Sequence, residues 1–261
     1  MLGTGRLELY LNYDRPLEPD ELQAYRQLVR RRLTGEPVAY IIGSAGFRGL
    51  ELEVDRRVLV PRPETELLVG QALEWARAEA RRGDRPDTGW RMIDAGTGSG
   101  AIACSLAVEL EGVDWILGID ASPDAVKLAR SNARKVGARR TLWLAADLLE
   151  SLRPGTKVDA IVANPPYLAE KERDSLAPEV AHWEPPEALF AGPTGEEALR
   201  RLVEEAPRWL RHGGLLGFEV GLGQADSARG MVEAQARLAY VGSYKDHANI
   251  ERGVLAVARG R

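Results

Sequence analysis

Apolar positions along the chain recur at two periods, and the switch between them divides it. Leu22, Tyr25, Leu28, Val29 and Leu33 follow at three-to-four spacing behind Pro19-Asp20-Glu21, which predicts a helix opened by a proline and two acids. Arg30-Arg31-Arg32 closes it, where cations suit the negative end of the helix dipole. The same run also reads as a docking patch for an acidic or RNA-associated partner. Tyr40-Ile41-Ile42 and the alternating Leu50-Glu51-Leu52-Glu53-Val54 read as strands, turned by Gly43, Gly46 and Gly49. Val58-Leu59-Val60 reads as another strand, stopped by Pro61 and Pro63. Glu64 and Glu66 suit the first turn of the next helix, which carries Leu67, Leu68, Ala72, Leu73 and Trp75. The polar stretch Arg81-Arg82-Gly83-Asp84-Arg85-Pro86-Asp87 ends this part as a loop.

From Trp90 the pattern becomes strand, turn, helix, repeated. Strands are predicted over residues 91–94, 115–119, 141–145, 160–163 and 215–220, separated by Ala-, Leu- and Arg-rich stretches of helical length. Such alternation specifies an α/β fold whose parallel sheet is covered on both faces. Residues 240–244 and 254–258 are two short strands with no helix between them, so at least one is expected to run antiparallel.

Composition narrows the classes. Over 261 residues, 44% hydrophobic and 28% charged is a globular balance with enough apolar surface to offset the entropy of ordering. A net charge of −4 disfavours bulk binding to nucleic acid, which draws on basic excess. Cys104 is the single cysteine, in an apolar stretch, and reads as a buried structural residue; His182, His212 and His247 lack ligand spacing, so no metal site is expected. No apolar run approaches a membrane span and the start lacks a signal-peptide pattern, so the expected compartment is the cytoplasm, with no membrane partner.

Three motifs carry chemistry. Asp94-Ala95-Gly96-Thr97-Gly98-Ser99-Gly100 ends the first core strand and precedes an apolar helix. Glycines at alternate positions admit a ligand close to the backbone, although a tight strand-to-helix turn uses glycine for geometry alone. Asp120 closes the next strand where a ribose-binding carboxylate belongs, and Asp147 follows the third, where it would accept from an adenine amine; each also reads as a helix cap. Asn164-Pro165-Pro166-Tyr167 follows the apolar strand at a sheet edge where open α/β folds bind ligands. A planar amide or aromatic-amine nitrogen is a poor nucleophile because its lone pair is delocalised. Two acceptors, the Asn164 side chain and the Pro165 carbonyl, would hold its N–H bonds and aim that lone pair, with Tyr167 as a flat wall. The electrophile that suits the glycine loop and its acids is S-adenosylmethionine, whose transfer needs alignment and water exclusion more than a strong base.

In this order the motifs resemble the release-factor glutamine methyltransferases, the HemK-like (PrmC-like) family. The resemblance runs over Gly35-Glu36-Pro37-Val38-Ala39-Tyr40-Ile41-Ile42-Gly43, Val60-Pro61-Arg62-Pro63-Glu64-Thr65-Glu66, the glycine loop and Asn164-Pro165-Pro166-Tyr167. It continues through Glu184-Pro185-Pro186-Glu187-Ala188-Leu189, Glu219-Val220-Gly221 with Gln224, and Lys245-Asp246. It implies a class I S-adenosylmethionine-dependent methyltransferase: a Rossmann-like, seven-stranded mixed sheet behind a small helical domain and a β-hairpin connector. The implied substrate is the glutamine of the Gly-Gly-Gln motif in class-1 peptide-chain release factors. Implied cofactor contacts are Gly96, Thr97, Gly98, Ser99, Gly100, Asp120, Asp147, Leu148 and Asn164. Asn164, Pro165, Pro166 and Tyr167 form the implied substrate amide site, with Asn164, Pro165 and Tyr167 catalytic.

The expected organisation is an N-terminal helical docking region over residues 1–38, shorter than in relatives and so read as truncated. A methyltransferase domain follows over 39–261, with the hairpin connector at 39–60. Leu148 stands where relatives often carry Trp, and Gly46 where they often carry Glu. The long stretch 165–195 is expected to support the amide pocket through residues 184–189 and partly to close over it; a rigid loop packed at the sheet edge is the alternative. Rival functions are a ribosomal-protein glutamine methyltransferase, a DNA adenine methyltransferase and a silent binding module.

Overall fold

The computed structural model describes residues 5–84, 86–152 and 155–260; Arg85 of the predicted loop and the ends of the two expected domains, residues 1–4 and 261, lie outside them. Helices α1 (Arg6–Leu11), α2 (Pro19–Leu33) and α3 (Val38–Ile42) lead to a hairpin of β1 (Ser44–Phe47) and β2 (Leu50–Glu53), then to α4 (Pro63–Arg82). The next elements are β3 (Trp90–Ala95), α5 (Ala101–Glu109), β4 (Val113–Asp120), α6 (Pro123–Lys135), β5 (Thr141–Ala145) and β6 (Val158–Ala163). A connecting segment holds β7 (Leu168–Ala169), α7 (Pro178–Ala181), α8 (Pro186–Leu189) and β8 (Phe190–Gly192). It is followed by α9 (Glu197–Glu205), β9 (Leu210–Glu219), α10 (Ala225–Ala234), β10 (Leu238–Lys245) and β11 (Glu251–Ala258).

Among the described residues the main sheet has seven strands in the order β10-β11-β9-β6-β3-β4-β5. Strands β3, β4, β5, β6 and β9 pair in parallel, while β11 runs antiparallel to both β9 and β10. The expected mixed sheet and its antiparallel tail are therefore present. Its strands are apolar on both faces because both faces are covered. Ile93, Ile161, Leu216 and Phe218 pack with Leu199, Leu202 and Val203 of α9 and Ala228 and Val232 of α10. Their strand neighbours Met92, Ala160, Val162 and Leu215 pack on the other side with Leu68, Ala72 and Leu73 of α4 and Leu106 of α5. Cys104 is buried, and burial pushes its thiol up to about 12.

Three local expectations are corrected. Tyr40-Ile41-Ile42 is not a strand but the body of the one-turn α3: Pro37 caps it at φ −55°, and Gly43 ends it at φ +82°, a conformation open to glycine. Gly46 is not turn material but lies within β1, paired with Glu51. Val58-Leu59-Val60 forms no strand: the Val58 N–H donates to the Asp55 carbonyl at 3.1 Å, the Tyr40 hydroxyl donates to the Val58 carbonyl at 2.5 Å, and the Val60 N–H reaches Glu184 at 3.4 Å.

The hairpin is latched to the glycine loop. Asn132 of α6, fully buried, accepts from the Glu53 N–H at 2.7 Å and donates to the Glu53 and Ser99 carbonyls at 2.9 Å each. Its turn is anchored by Arg48, whose guanidinium grips Glu109 of α5 through two bonds of 2.6 Å. Of Arg30-Arg31-Arg32, Arg31 pairs with Glu36 and Arg32 with Glu179. No helix among the described residues is long and apolar enough to cross a membrane.

Candidate functional site

Sheet register assembles the site. Ala95, Ala163 and Phe218 lie in register across β3, β6 and β9, so Gly96, Asn164 and Glu219 stand at three adjacent strand ends. A cavity of about 290 Å³ opens there. Its wall includes Gly96, Thr97, Gly98, Ser99, Asp120, Asp147, Leu148, Asn164 and Pro166. The structure thus brings together most of the predicted site residues, from four separate stretches of sequence. Gly100, Pro165 and Tyr167 stand outside that wall.

Gly96, Gly98 and Gly100 all take positive φ, at 78°, 51° and 82°. They also serve different ends. A Cβ at Gly98 would meet nothing within 4 Å, leaving the backbone open above it, whereas one at Gly100 would press on Ala129 at 3.0 Å and Trp143 at 3.1 Å. The first leaves room for a ligand; the second lets α5 pack against its neighbours.

The acids are similarly divided. Asp94 is wholly buried, accepts from the Thr97 hydroxyl at 2.5 Å and the Ala103 N–H at 3.0 Å, and is pushed up to about 7 by burial. Its Oδ1 has no partner among the described residues. Asp120 accepts from the Gly98 N–H at 2.8 Å and the Ser122 N–H at 2.9 Å. The cap of α6 itself is Ser122, so Asp120 supports both turns and still faces the cavity; burial raises its pKa against those two donors. Asp147 is exposed at the cavity mouth, held by Arg201 at 2.9 Å, and Leu148 beside it is buried at φ +47°.

Behind Asn164 lies a buried polar chain. The Asn164 Nδ2 donates to Thr65 Oγ1 at 3.0 Å, and the Thr65 hydroxyl donates to Glu219 Oε2 at 2.6 Å. Burial pushes Glu219 up to about 7, opposed by Thr65, Arg252 and the Tyr167 hydroxyl. Burial also pushes the Tyr167 phenol up to about 12. The Tyr167 carbonyl accepts from Gln224 Nε2 at 2.8 Å, and its ring lies against Gly221, where a Cβ would stand 3.0 Å away.

The far wall comes from residues that none of the three motifs contains. Pro61, Arg62 and Thr65 around the start of α4, Phe190 and Ala191 of β8 and Arg201 of α9 all line the cavity. Arg62 is fixed by buried Glu184 at 2.5 Å, so Glu184 holds the wall through Arg62 and the Val60 N–H. Their signal was the run of motifs itself, since Arg62 and Thr65 sit in Pro61-Arg62-Pro63-Glu64-Thr65-Glu66.

The chain matches a PrmC N-terminal domain over residues 1–43 and a methyltransferase small domain over residues 84–182. A release factor glutamine methyltransferase of Geobacter sulfurreducens is 42% identical over 230 residues, spanning 88% of this chain and 76% of its own length. That of Chlorobaculum tepidum is 41% identical over 263 residues, 99% of this chain and 87% of its own. Among solved structures, a methyltransferase of Pyrococcus furiosus matches with TM-score 0.56 and 18% identity, covering 91% of this chain and all of its own (100%). The Thermus thermophilus 16S rRNA N2 G1207 methyltransferase, in complex with S-adenosylmethionine and guanosine, matches with TM-score 0.56 and 20% identity, covering 83% of this chain and 50% of its own. The two structures show the fold, that of the class I methyltransferases.

Proposed function

The chain belongs to the release factor glutamine methyltransferases, and we propose that it methylates the side-chain amide nitrogen of a glutamine, that of the Gly-Gly-Gln motif in class-1 peptide-chain release factors, using S-adenosylmethionine. One observation carries the reading: the amide-holding Asn164 and the open backbone at Gly98 share a single cavity at adjacent strand ends. When bound, S-adenosylmethionine supplies a methyl group already activated by its sulfonium.

The residues present fit that group. The uncovered backbone at Gly98 leaves room for close approach, and the Asp120 carboxylate faces the cavity as an acceptor suited to a ribose diol. Residues 96–99 would hold the cofactor's chain, Asp120 its ribose, and Asp147 with Leu148 its base. The chain's own task is the amide. The Asn164 carbonyl would accept one of its N–H bonds from the cavity wall, and the Pro165 carbonyl, whose residue lies just behind that wall, would accept the other; together they would fix the plane of the nitrogen and turn its lone pair outward. Pro165 and Pro166 restrict the flanking torsions, so these acceptors are organised before the substrate arrives. Partner docking falls to the N-terminal helices, and recognition needs no nucleic acid.

The test is methyl transfer from labelled S-adenosylmethionine to purified release factor, beside a factor whose motif glutamine is replaced by alanine. Label on the unaltered factor alone is the expected result. Label on a ribosomal protein or on DNA adenine instead, or cofactor binding without transfer to any of them, overturns the assignment.

A further inference from the structure

An asparagine side chain has two chemically opposite faces, a carbonyl that accepts and an amide that donates, and holding a substrate N–H uses only the first. We propose that Glu219, acting through Thr65, sets which face of Asn164 meets the substrate. The proposal rests on the amide-methylation reading above.

An ionised carboxylate only accepts, and a threonine hydroxyl has one proton. At 2.6 Å from Glu219, the Thr65 hydroxyl must spend that proton on the carboxylate. Its oxygen is then left as an acceptor, and the group 3.0 Å away on Asn164 must be the donating nitrogen. The Asn164 carbonyl is thereby turned away from Thr65, free for the substrate. Protonated Glu219 reverses the chain: it donates to Thr65, the Thr65 hydroxyl turns toward Asn164, and the amide is drawn into the opposite orientation.

The surroundings suit such a role. Thr65 is 4% exposed and Glu219 3% exposed, so both are largely shielded from water although Thr65 touches the cavity. Glu219 faces Glu64 and Thr65 from α4, Tyr167 after β6, Tyr244 of β10 and Arg252 of β11. The Tyr167 hydroxyl also favours the ionised form of Glu219. Thr65 and Glu219 are positioning residues: they act on the reaction through Asn164.

The experiment measures kcat and KM for release-factor methylation from pH 5.5 to 9 with wild type, Glu219→Gln, Thr65→Val and Thr65→Ser, with calorimetric S-adenosylmethionine affinity and thermal midpoints alongside. In the wild type, kcat falls as pH drops through the Glu219 titration, and this acid limb survives Asp94→Asn, which removes the other buried carboxylate that burial pushes up to about 7. Glu219→Gln lowers kcat on the order of 10-fold at pH 8 and abolishes the limb, because an amide can either donate to or accept from Thr65. Thr65→Val, nearly isosteric, lowers kcat by roughly 10²-fold, and Thr65→Ser recovers most of that loss. KM and cofactor affinity stay within about 3-fold throughout. Wild-type kcat with an unchanged acid limb in Glu219→Gln, failure of Thr65→Ser to recover what Thr65→Val loses, or losses that merely track the thermal midpoint overturn the proposal. An active wild type indifferent to these changes removes only the relay. An inactive wild type removes the amide-methylation reading and the relay with it.

Discussion

Helices α2 and α9 carry the same kind of apolar stripe and meet opposite fates. Leu199, Leu202 and Val203 of α9 are at most 2% exposed, locked against the sheet. Tyr25, Val29 and Leu33 of α2 are 49%, 37% and 80% exposed, and among its described side chains none is buried. Helix α2 is nonetheless well made: Pro19 opens it, Glu18 and Glu21 form a capping box, and three arginines close it. Periodicity therefore states that a helix forms and which face is apolar, but not what covers that face. The same division separates two parts of the molecule: a sheet whose flanking helices bury their apolar faces, and helices α1 and α2, where Leu7, Tyr10, Leu11, Tyr25 and Leu33 are exposed.

Three experiments press on that contrast. The largest effect belongs to the buried end. Asn164→Ala removes an acceptor from the reacting amide and is expected to lower kcat on the order of 10²-fold or more while leaving the unfolding midpoint nearly unchanged. Steady-state kinetics and thermal melts read both; wild-type turnover would refute the role given to Asn164.

The next compares the two apolar stripes directly. Leu73 of α4 is 1% exposed in the core, and Leu73→Ala is expected to cost about 2–5 kcal/mol. Leu33→Ala on the exposed face of α2 should change stability by no more than about 0.5 kcal/mol, and should instead raise KM for the release factor. Urea unfolding of both variants measures the gap, and equal losses would mean that the α2 stripe is covered after all.

The smallest effect is one of pH. Burial raises both Asp94 and Glu219 to about 7, above their ordinary values of 3.8 and 4.5. A raised folded-state pKa means that the fold holds these protons more tightly than the unfolded chain does. The stability they contribute is complete below their ordinary values and is lost as pH rises through about 7. The urea midpoint of cofactor-free protein should therefore fall between pH 6 and 8, and should flatten in the Asp94→Asn, Glu219→Gln double variant. A midpoint that rises over that interval would show that other groups dominate.

Much of the site was legible because strand ends announce themselves. Residues 96–99, Asp120, Asp147 and Asn164 each follow an apolar run, and in a parallel sheet all such ends share one edge, which is why they meet in one cavity. Three consecutive apolar residues, Tyr40-Ile41-Ile42, carry no period of their own, and Pro37 and Gly43 decide for a helical turn. Val58-Leu59-Val60 has the apolar run of a strand, but its backbone bonds to the Asp55 carbonyl and to the Tyr40 and Glu184 side chains and not to a neighbouring strand.

By itself, then, the sequence determined the seven strands of the main sheet and their order along the chain, the two-sided burial of that sheet and the edge on which chemistry gathers, all of which follow from local periodicity and turn residues. Only the tertiary structure decided the partners. Arg62 and Glu184 are separated by 122 residues, and Thr65 and Glu219 by 154. Hydrogen-bond pairing depends on distances of a few ångströms, which sheet register fixes, and register is a property of strands brought together and not of any one of them.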